Sequence, residues 1–422
     1  MSVRGPTLTQ PAWAVLLSVT ALYIIGLLCI YATEFHRQAL PVNTIKQIVT
    51  LLGGVGLSFV VLRMDYRWFA RHAAIIVTFA VLALIPLVLA RWLPFGGLIP
   101  NRRGSYRWIQ LPYFQLQPSE FMKLAYIVGL AAYLRFRKNY RTFRGLLIPV
   151  LASMPPMFLI LLEPDLGTVI LMMPVLFIML YAAGAQMKHL AALILIAAAA
   201  APIGWLSLHD YQKSRVLGVL LQSDALRQKV INQPEAYRWI ASVQQAKQWE
   251  VDSGMQLLRS KAALGSGAVT GQGWGNGTFV EYNFLPDRHN DFIFAIVGHQ
   301  WGLVGCVILL LCFSLIVLGG MEIAAETAEP FARLLAVGVV ALIAAQVTIN
   351  VGMTLGLMPI TGMTLPFVSY GGSSLLTNII GIALLISVSR HQPFLLAERA
   401  FEFAPPPEQT AQLRPLPSYR TQ

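Results

Sequence analysis

Between residues 281 and 291 the chain gathers Glu281, Asp287, Arg288, His289 and Asp291. Upstream lies a glycine-rich stretch that starts at Met255 and carries Arg259 and Lys261. Downstream, Phe292 to Gly320 holds no Asp, Glu, Lys or Arg and is long enough to cross a bilayer. A carboxylate at the mouth of such a segment, beside a flexible cationic loop, suggests chemistry at a membrane surface. Desolvating charged groups is costly, so their retention there points to a task at a membrane surface. The plainer alternative is a solvated loop in which Asn290 caps the next helix and Asp291 complements its dipole. These residues alone do not choose between the two.

Other polar groups also stand at apolar boundaries. Gln117-Pro118-Ser119-Glu120 opens an apolar segment that contains Lys123. Proline and glutamate suit a first helical turn. Lys123 lies on nearly the same face as Glu120, either as its i,i+3 ion-pair partner or as a cation lining a cavity. Glu163 and Asp165 share a tight turn, where Asp165 suits a cap for the helix that follows. Arg107, within Tyr106-Arg107-Trp108, has the fork geometry for phosphate, and Trp108 suits an interfacial anchor. The run Pro359 to Ser374 includes Ser369, Gly371 and Gly372 and breaks what should be membrane-depth sequence with two prolines and three glycines. Irregular backbone at that depth is tolerated only where it is buried or lines a cavity, so this run is expected to form cavity wall.

These groups must be positioned by a membrane scaffold. Of 422 residues, 56% are hydrophobic and 12% charged, about half the charged share of a soluble domain. Apolar length places about ten spans, near 12–32, 45–62, 73–93, 118–134, 146–162, 166–184, 188–208, 291–320, 331–353 and 366–389. The expected fold is therefore all-α and polytopic, with a ten-span body over 1–403 and a large loop, 209–290, between spans seven and eight. The first apolar segment is a full span, too long for a signal h-region. Cys29, Cys306 and Cys312 all lie in apolar runs and suggest neither a disulfide framework nor a metal site.

Basic residues recur in alternate loops: Arg63, Arg67 and Arg71; Arg135 to Arg144; Lys188; Arg390 and Arg399. The positive-inside rule makes these loops and both termini cytoplasmic and puts 209–290 outside. Membrane topology, rather than nucleic acid, then accounts for the net charge of +12. Arg102, Arg103 and Arg107 fall outside against this bias, which suits an anionic ligand. Residues 223–249 read as one amphipathic surface helix, and the proline-rich tail 404–422 as disordered. No internal repeat of the transporter kind stands out.

Four motifs together, Arg107-Trp-Ile, Gln117 to Lys123, Glu163 to Thr168 and Pro366 to Ser374, resemble in order and spacing the SEDS family of shape, elongation, division and sporulation proteins. The resemblance covers roughly 12–392. Two further stretches, His209 to Arg215 and Arg259 to Gly267 continued by Phe284 to His289, resemble its elongation members more than its division members. The resemblance implies polymerisation of lipid II into glycan outside the cytoplasmic membrane, beside a class B penicillin-binding protein. It implies that Asp291, in His289-Asn-Asp-Phe-Ile-Phe294, is catalytic, and that Arg107, Glu120 and Lys123 occupy the polar cavity. Substitution at the sugar inverts, and Arg107, Lys123, Arg259, Lys261 or a divalent cation (magnesium or manganese) could meet the departing pyrophosphate, with His289 beside the base. Asn290 stands where the family has threonine. His299 and Gln300 stand where it has two glutamates, which removes two carboxylates expected on the cavity side of span eight. A stretch near 222–250 looks like an insertion. Two other readings stay open: a flippase for lipid-linked oligosaccharide, and a scaffold without catalysis.

Overall fold

The computed structural model describes residues 9–390 apart from 36–39, 94–95, 102–104, 113, 137–141, 208–209, 252–253 and 283. The expected tail from Ala404, and Arg102 and Arg103, lie outside the described residues. The described residues all belong to one compact unit.

Long helices form at each expected span. In order they are α1 (Gln10–Phe35), α2 (Val42–Arg63), α3 (Tyr66–Leu89), α4 (Pro118–Leu134), α5 (Phe143–Leu162), α6 (Leu166–Ala182) and α7 (Met187–Ser207). Six short helices follow: α8 (Asp210–Leu220), α9 (Asp224–Asn232), α10 (Pro234–Tyr237), α11 (Val243–Lys247), α12 (Met255–Ser266) and α13 (Thr278–Glu281). Then come α14 (Ile293–Glu326), α15 (Pro330–Leu355) and α16 (Gly372–Arg390). Seven described helices are both long and apolar enough to cross a bilayer, while α6 and the apolar part of α7 are shorter. This is an all-α, multi-pass membrane protein.

Side chains written into the sequence start several helices. Asp65 accepts from Arg67 N at the head of α3, Thr142 from Gly145 N at α5, Asp165 from Thr168 N at α6, and Glu329 from Ala332 N at α15. Glu34, at the end of α1, accepts from the amides of Asn43 and Thr44 and so caps α2 from its neighbour. In α15 and α16, 78% of the apolar window is buried, against 17% in α2, so α15 and α16 form the core and α2 faces largely outward. α14 packs against α1 and α15, α2 against α16, and α15 also against α4 and α6.

Three departures from expectation have local causes. The tenth helix starts at Gly372 rather than 366, because Pro359 to Gly371 carries no helix, as its composition implied. The surface helix expected over 223–249 is divided into α9, α10 and α11; Pro234, which lacks a donor, opens the second piece. α14 is interrupted at Gly302, with φ 64° and ψ −157°. A Cβ there would lie 2.4 Å from Val269 O, so the glycine-rich strand of chain between α12 and α13 packs directly on the break.

Candidate active site

The acidic loop ahead of α14 is held through its backbone. Asp291 N donates to Asp287 O at 3.1 Å, and Tyr370 N donates to His289 O at 2.9 Å. Ser369 Oγ donates to Asn290 O at 2.6 Å. From α15, Asn350 Nδ2 donates to both Asp291 O (2.9 Å) and Met363 O (2.7 Å), tying the loop to the irregular segment 359–371. Arg288 is buried and gives its guanidinium to the carbonyls of Thr33, Phe279 and Val280, which anchors the loop to α1. None of these bonds uses the Asp291 carboxylate. That carboxylate comes close to Gly362, where an added Cβ would lie 3.4 Å from Asp291 Oδ2 and 3.2 Å from Arg215 Nη1. The α14 N-cap is Phe292, without a side-chain capping bond, and Asn290 Oδ1 is buried without a partner. The reading of Asn290 as a helix cap is therefore overturned.

A second cluster faces this loop. Lys123 Nζ lies 2.7 Å from Glu120 Oε2, and both side chains are buried. Arg107 Nε donates to Glu163 O at 3.1 Å, a further guanidinium bond reaches Pro164 O, and Nη1 lies 3.7 Å from Asp165 Oδ1. Asp165 also accepts from Gln117 Nε2, Ser119 Oγ and Thr168 Oγ1. The expected cap is thus real, and the same carboxylate ties α4 to α6. Burial pushes the Asp165 carboxyl up, but Arg107, Thr168 and Lys123 outweigh it and hold the group below the ordinary range.

Glu163 is different. Neither carboxyl oxygen has a partner, and burial, reinforced by Asp165 and only partly opposed by Arg107, pushes its pKa from 4.5 to about 9. The folded chain thus holds this proton more tightly than the unfolded chain, so stability falls as pH rises from the unfolded value through the folded one. Glu163→Gln should abolish that loss. Its melting temperature is expected to exceed wild type by a margin that widens between pH 5 and pH 9. Parallel stability profiles across that range would show that Glu163 is ionised in the fold.

The two clusters line one cavity of about 940 Å³. Lys46, Arg107, Lys123 and Arg215 bring positive charge to its wall, and Glu120, Asp165, Asp287 and Asp291 bring negative charge. Gly371 and Gly372 also line it, as the reading of that run anticipated, together with Ser373, Ser374 and Thr364. Ser369 stands behind the wall, joined to Asn290 O, Leu365 N and Gln47.

Other expected residues are placed elsewhere. Arg259 Nη1 donates to Phe284 O at 2.8 Å. Lys261 bonds Gln222, whose amide donates to Gly356 O, so this pair serves the carboxyl end of α15. Neither cation lines the cavity. His289 stands against the Tyr370 ring, centroids 5.8 Å apart. Burial, and secondarily Arg288, hold its pKa below the ordinary value against Asp287 and Glu34. His299 and Gln300 do not face the cavity, contrary to expectation. His299 Nδ1 lies 2.6 Å from Ser266 Oγ, and their carbonyls accept from Gln272 N and Gly273 N. The glycine-rich stretch occupies that side of α14.

Sequence reasoning missed Arg215, Lys46, Gln346 and Asn350. Gln346 and Asn350 carried a usable signal: two amides four residues apart, on one face of an otherwise apolar span. Among the described residues no three or more His, Cys, Asp or Glu gather to hold a metal ion.

A family model described as "Cell cycle protein", covering FtsW, RodA and SpoVE, matches residues 12–393. Stage V sporulation protein E of Bacillus subtilis (strain 168) is 34% identical over 350 residues, 82% of this chain and 86% of that protein. Peptidoglycan glycosyltransferase MrdB of Escherichia coli (strain K12) is 33% identical over 303 residues, 71% of this chain and 74% of that protein. A solved structure described as "Structural coordination of polymerization and crosslinking by a peptidoglycan synthase complex" superposes with a TM-score of 0.70 at 26% identity, covering 90% of this chain and 98% of the other.

Proposed function

The chain belongs to the FtsW, RodA and SpoVE family, and from that premise we propose that it is an inverting peptidoglycan glycosyltransferase that polymerises lipid II. The observation that carries this reading is a single cavity holding Asp291 and several cations, with an apolar flank. Ile45, Val49 and Gly53 of α2 form that flank with Leu376 and Phe114. Ile45 and Val49 are 48% and 62% exposed. An amphiphile with a pyrophosphate head and a polyprenyl tail suits such a wall.

Asp291 acts as the base. The acceptor 4-hydroxyl attacks the donor anomeric carbon, its proton passes to the Asp291 carboxylate, and the bond from that carbon to pyrophosphate breaks. The α-linked donor thereby gives a β-1,4 product. Arg107, Lys123 and Arg215 offset the charge that develops on the leaving pyrophosphate, in a site where the dipoles are already oriented. No second carboxylic acid is required, because pyrophosphate leaves without protonation, unlike the sugar alcohol expelled by a glycosidase. Glu120 and Asp165 serve instead to fix Lys123 and Arg107. The test of this reaction is stoichiometric: purified protein should release one polyprenyl pyrophosphate for each β-1,4 linkage formed. Consumption without that release would exclude it.

The chemistry belongs to the extracytoplasmic face of the bacterial cytoplasmic membrane, with both termini cytoplasmic. A class B penicillin-binding protein is the partner that cross-links the product. The stretches His209 to Arg215, Arg259 to Gly267 and Phe284 to His289 favour elongation over division. A reporter at Ser242 should be accessible from outside the cell, while one in the loop after α4 should not. Cytoplasmic labelling of Ser242 would turn the site to the wrong face.

A further inference from the structure

The cavity wall holds a polar group that the proposed reaction does not use. Gln346 lies on α15 one helical turn before Asn350, and so on the same face. Asn350 gives its Nδ2 to Asp291 O and Met363 O, and although its Oδ1 is also without a partner, Asn350 does not line the cavity. Gln346 also lines the cavity, yet it is 1% exposed and its Oε1 has no hydrogen-bond partner. Within an apolar span, an unsatisfied carboxamide is costly. A methionine or leucine would fill the same position without that cost. An amide held there at the edge of a substrate-sized cavity asks for a ligand.

The chemistry of the amide narrows the ligand. Its unsatisfied atom is an acceptor, so it needs a donor. Ionised pyrophosphate has no proton to donate, and the cavity already supplies cations for it. Sugar hydroxyls and acetamido N–H groups do donate, and a carboxamide can also return a hydrogen bond to an acetyl oxygen. We infer that Gln346 is a recognition residue for the saccharide of the lipid-linked substrate, its amide reading an acetamido or hydroxyl group. The inference rests on the reading of this cavity as a lipid II site. It adds that the sugar is recognised from the α15 side, near the loop that carries Asp291.

The test compares two ligands on the purified full chain: labelled lipid II, and undecaprenyl pyrophosphate, which has the tail and pyrophosphate without the sugar. Gln346→Met should weaken lipid II binding about three- to tenfold, the yield of one or two hydrogen bonds, and leave undecaprenyl pyrophosphate binding unchanged. An equal loss for both ligands would make Gln346 a shaper of the cavity, and no loss for either would remove it from recognition. Either result overturns the inference. Gln346→Leu, measured in parallel, guards against a folding defect peculiar to methionine and should give the same selective loss. If wild type fails to bind lipid II at all, the lipid II reading itself is lost. If wild type binds it and Gln346→Met binds as well, only the role of Gln346 is lost.

Discussion

Asp291→Asn should lower glycan synthesis by at least two orders of magnitude, within the roughly 10²–10⁴-fold range of general-base assistance. An amide keeps the shape of the carboxylate but is barely basic, so it cannot take the acceptor proton. Protein level should stay near normal, because the loop is anchored through main-chain atoms. Asp287 O, Asn350 Nδ2, Ser369 Oγ and Tyr370 N all bond the backbone of residues 289–291. Asp291→Ala should be similarly inactive and lose about 0.3–1 kcal/mol if the carboxylate also favours the start of α14. A purely structural Asp291 predicts another order, with Asn nearly silent because it substitutes well near helix starts. Wild-type synthesis by Asp291→Asn would remove Asp291 from the chemistry.

The second large effect is expected at Lys123. Its ammonium lies 2.7 Å from Glu120 Oε2, with side-chain exposures of 2% and 10%. Lys123→Ala therefore removes a cation from the cavity and leaves a carboxylate alone in a nearly dry place. Breaking one half of a buried pair typically costs about 3–5 kcal/mol, so this variant alone mixes two effects. Glu120→Gln combined with Lys123→Met separates them, since replacing a buried pair by neutral groups of similar size is often tolerated. If Lys123 meets the pyrophosphate, the double variant should fold normally and still show a KM for lipid II raised at least tenfold. If Lys123 only neutralises Glu120, the double variant should polymerise at the wild-type rate.

Much of this architecture was legible from apolar length and a few polar interruptions. Helices stand at all ten expected places because each segment is longer and more apolar than a soluble helix requires. The irregular stretch from Pro359 was legible for the converse reason, since prolines, glycines and hydroxyls at that depth must line something. Arg107, Glu120, Lys123, Asp165 and Asp291 share a cavity as expected: four of them lie at or near the starts of α4, α6 and α14, and Arg107 reaches it from the connection between α3 and α4. Arg259 and Lys261 misled because nearness in sequence to the acidic loop is not nearness of the side-chain tips. Their donors are used on Phe284 O and on Gln222 at the end of α15. Arg215 was illegible as a site residue, and the Gln346/Asn350 spacing marked a polar face without saying what it meets, because their meeting with the Asp291 loop is tertiary. A bond such as Asn350 to Asp291 O spans 59 residues, and no local pattern encodes it. His299 and Gln300 were misplaced because the glycine-rich chain after α12 packs directly on their side of α14, Gly271 against Gln300 O and Gly277 against the His299 ring, a tertiary contact that the sequence pattern does not encode.

Making glycan and moving lipid between leaflets are the two activities to be told apart for this cavity. Detergent micelles have no second leaflet, so transport has no meaning there while polymerisation does. Labelled lipid II should therefore be supplied in detergent to the purified chain, alone and with the proposed transpeptidase partner, and the products separated by length. Wild type should yield a ladder of β-1,4-linked polymer, and Asp291→Asn in the same preparation should leave lipid II unconsumed. The contradicting result is unconsumed lipid II with wild type as well, alongside rapid transbilayer movement of the same lipid once the protein is placed in vesicles.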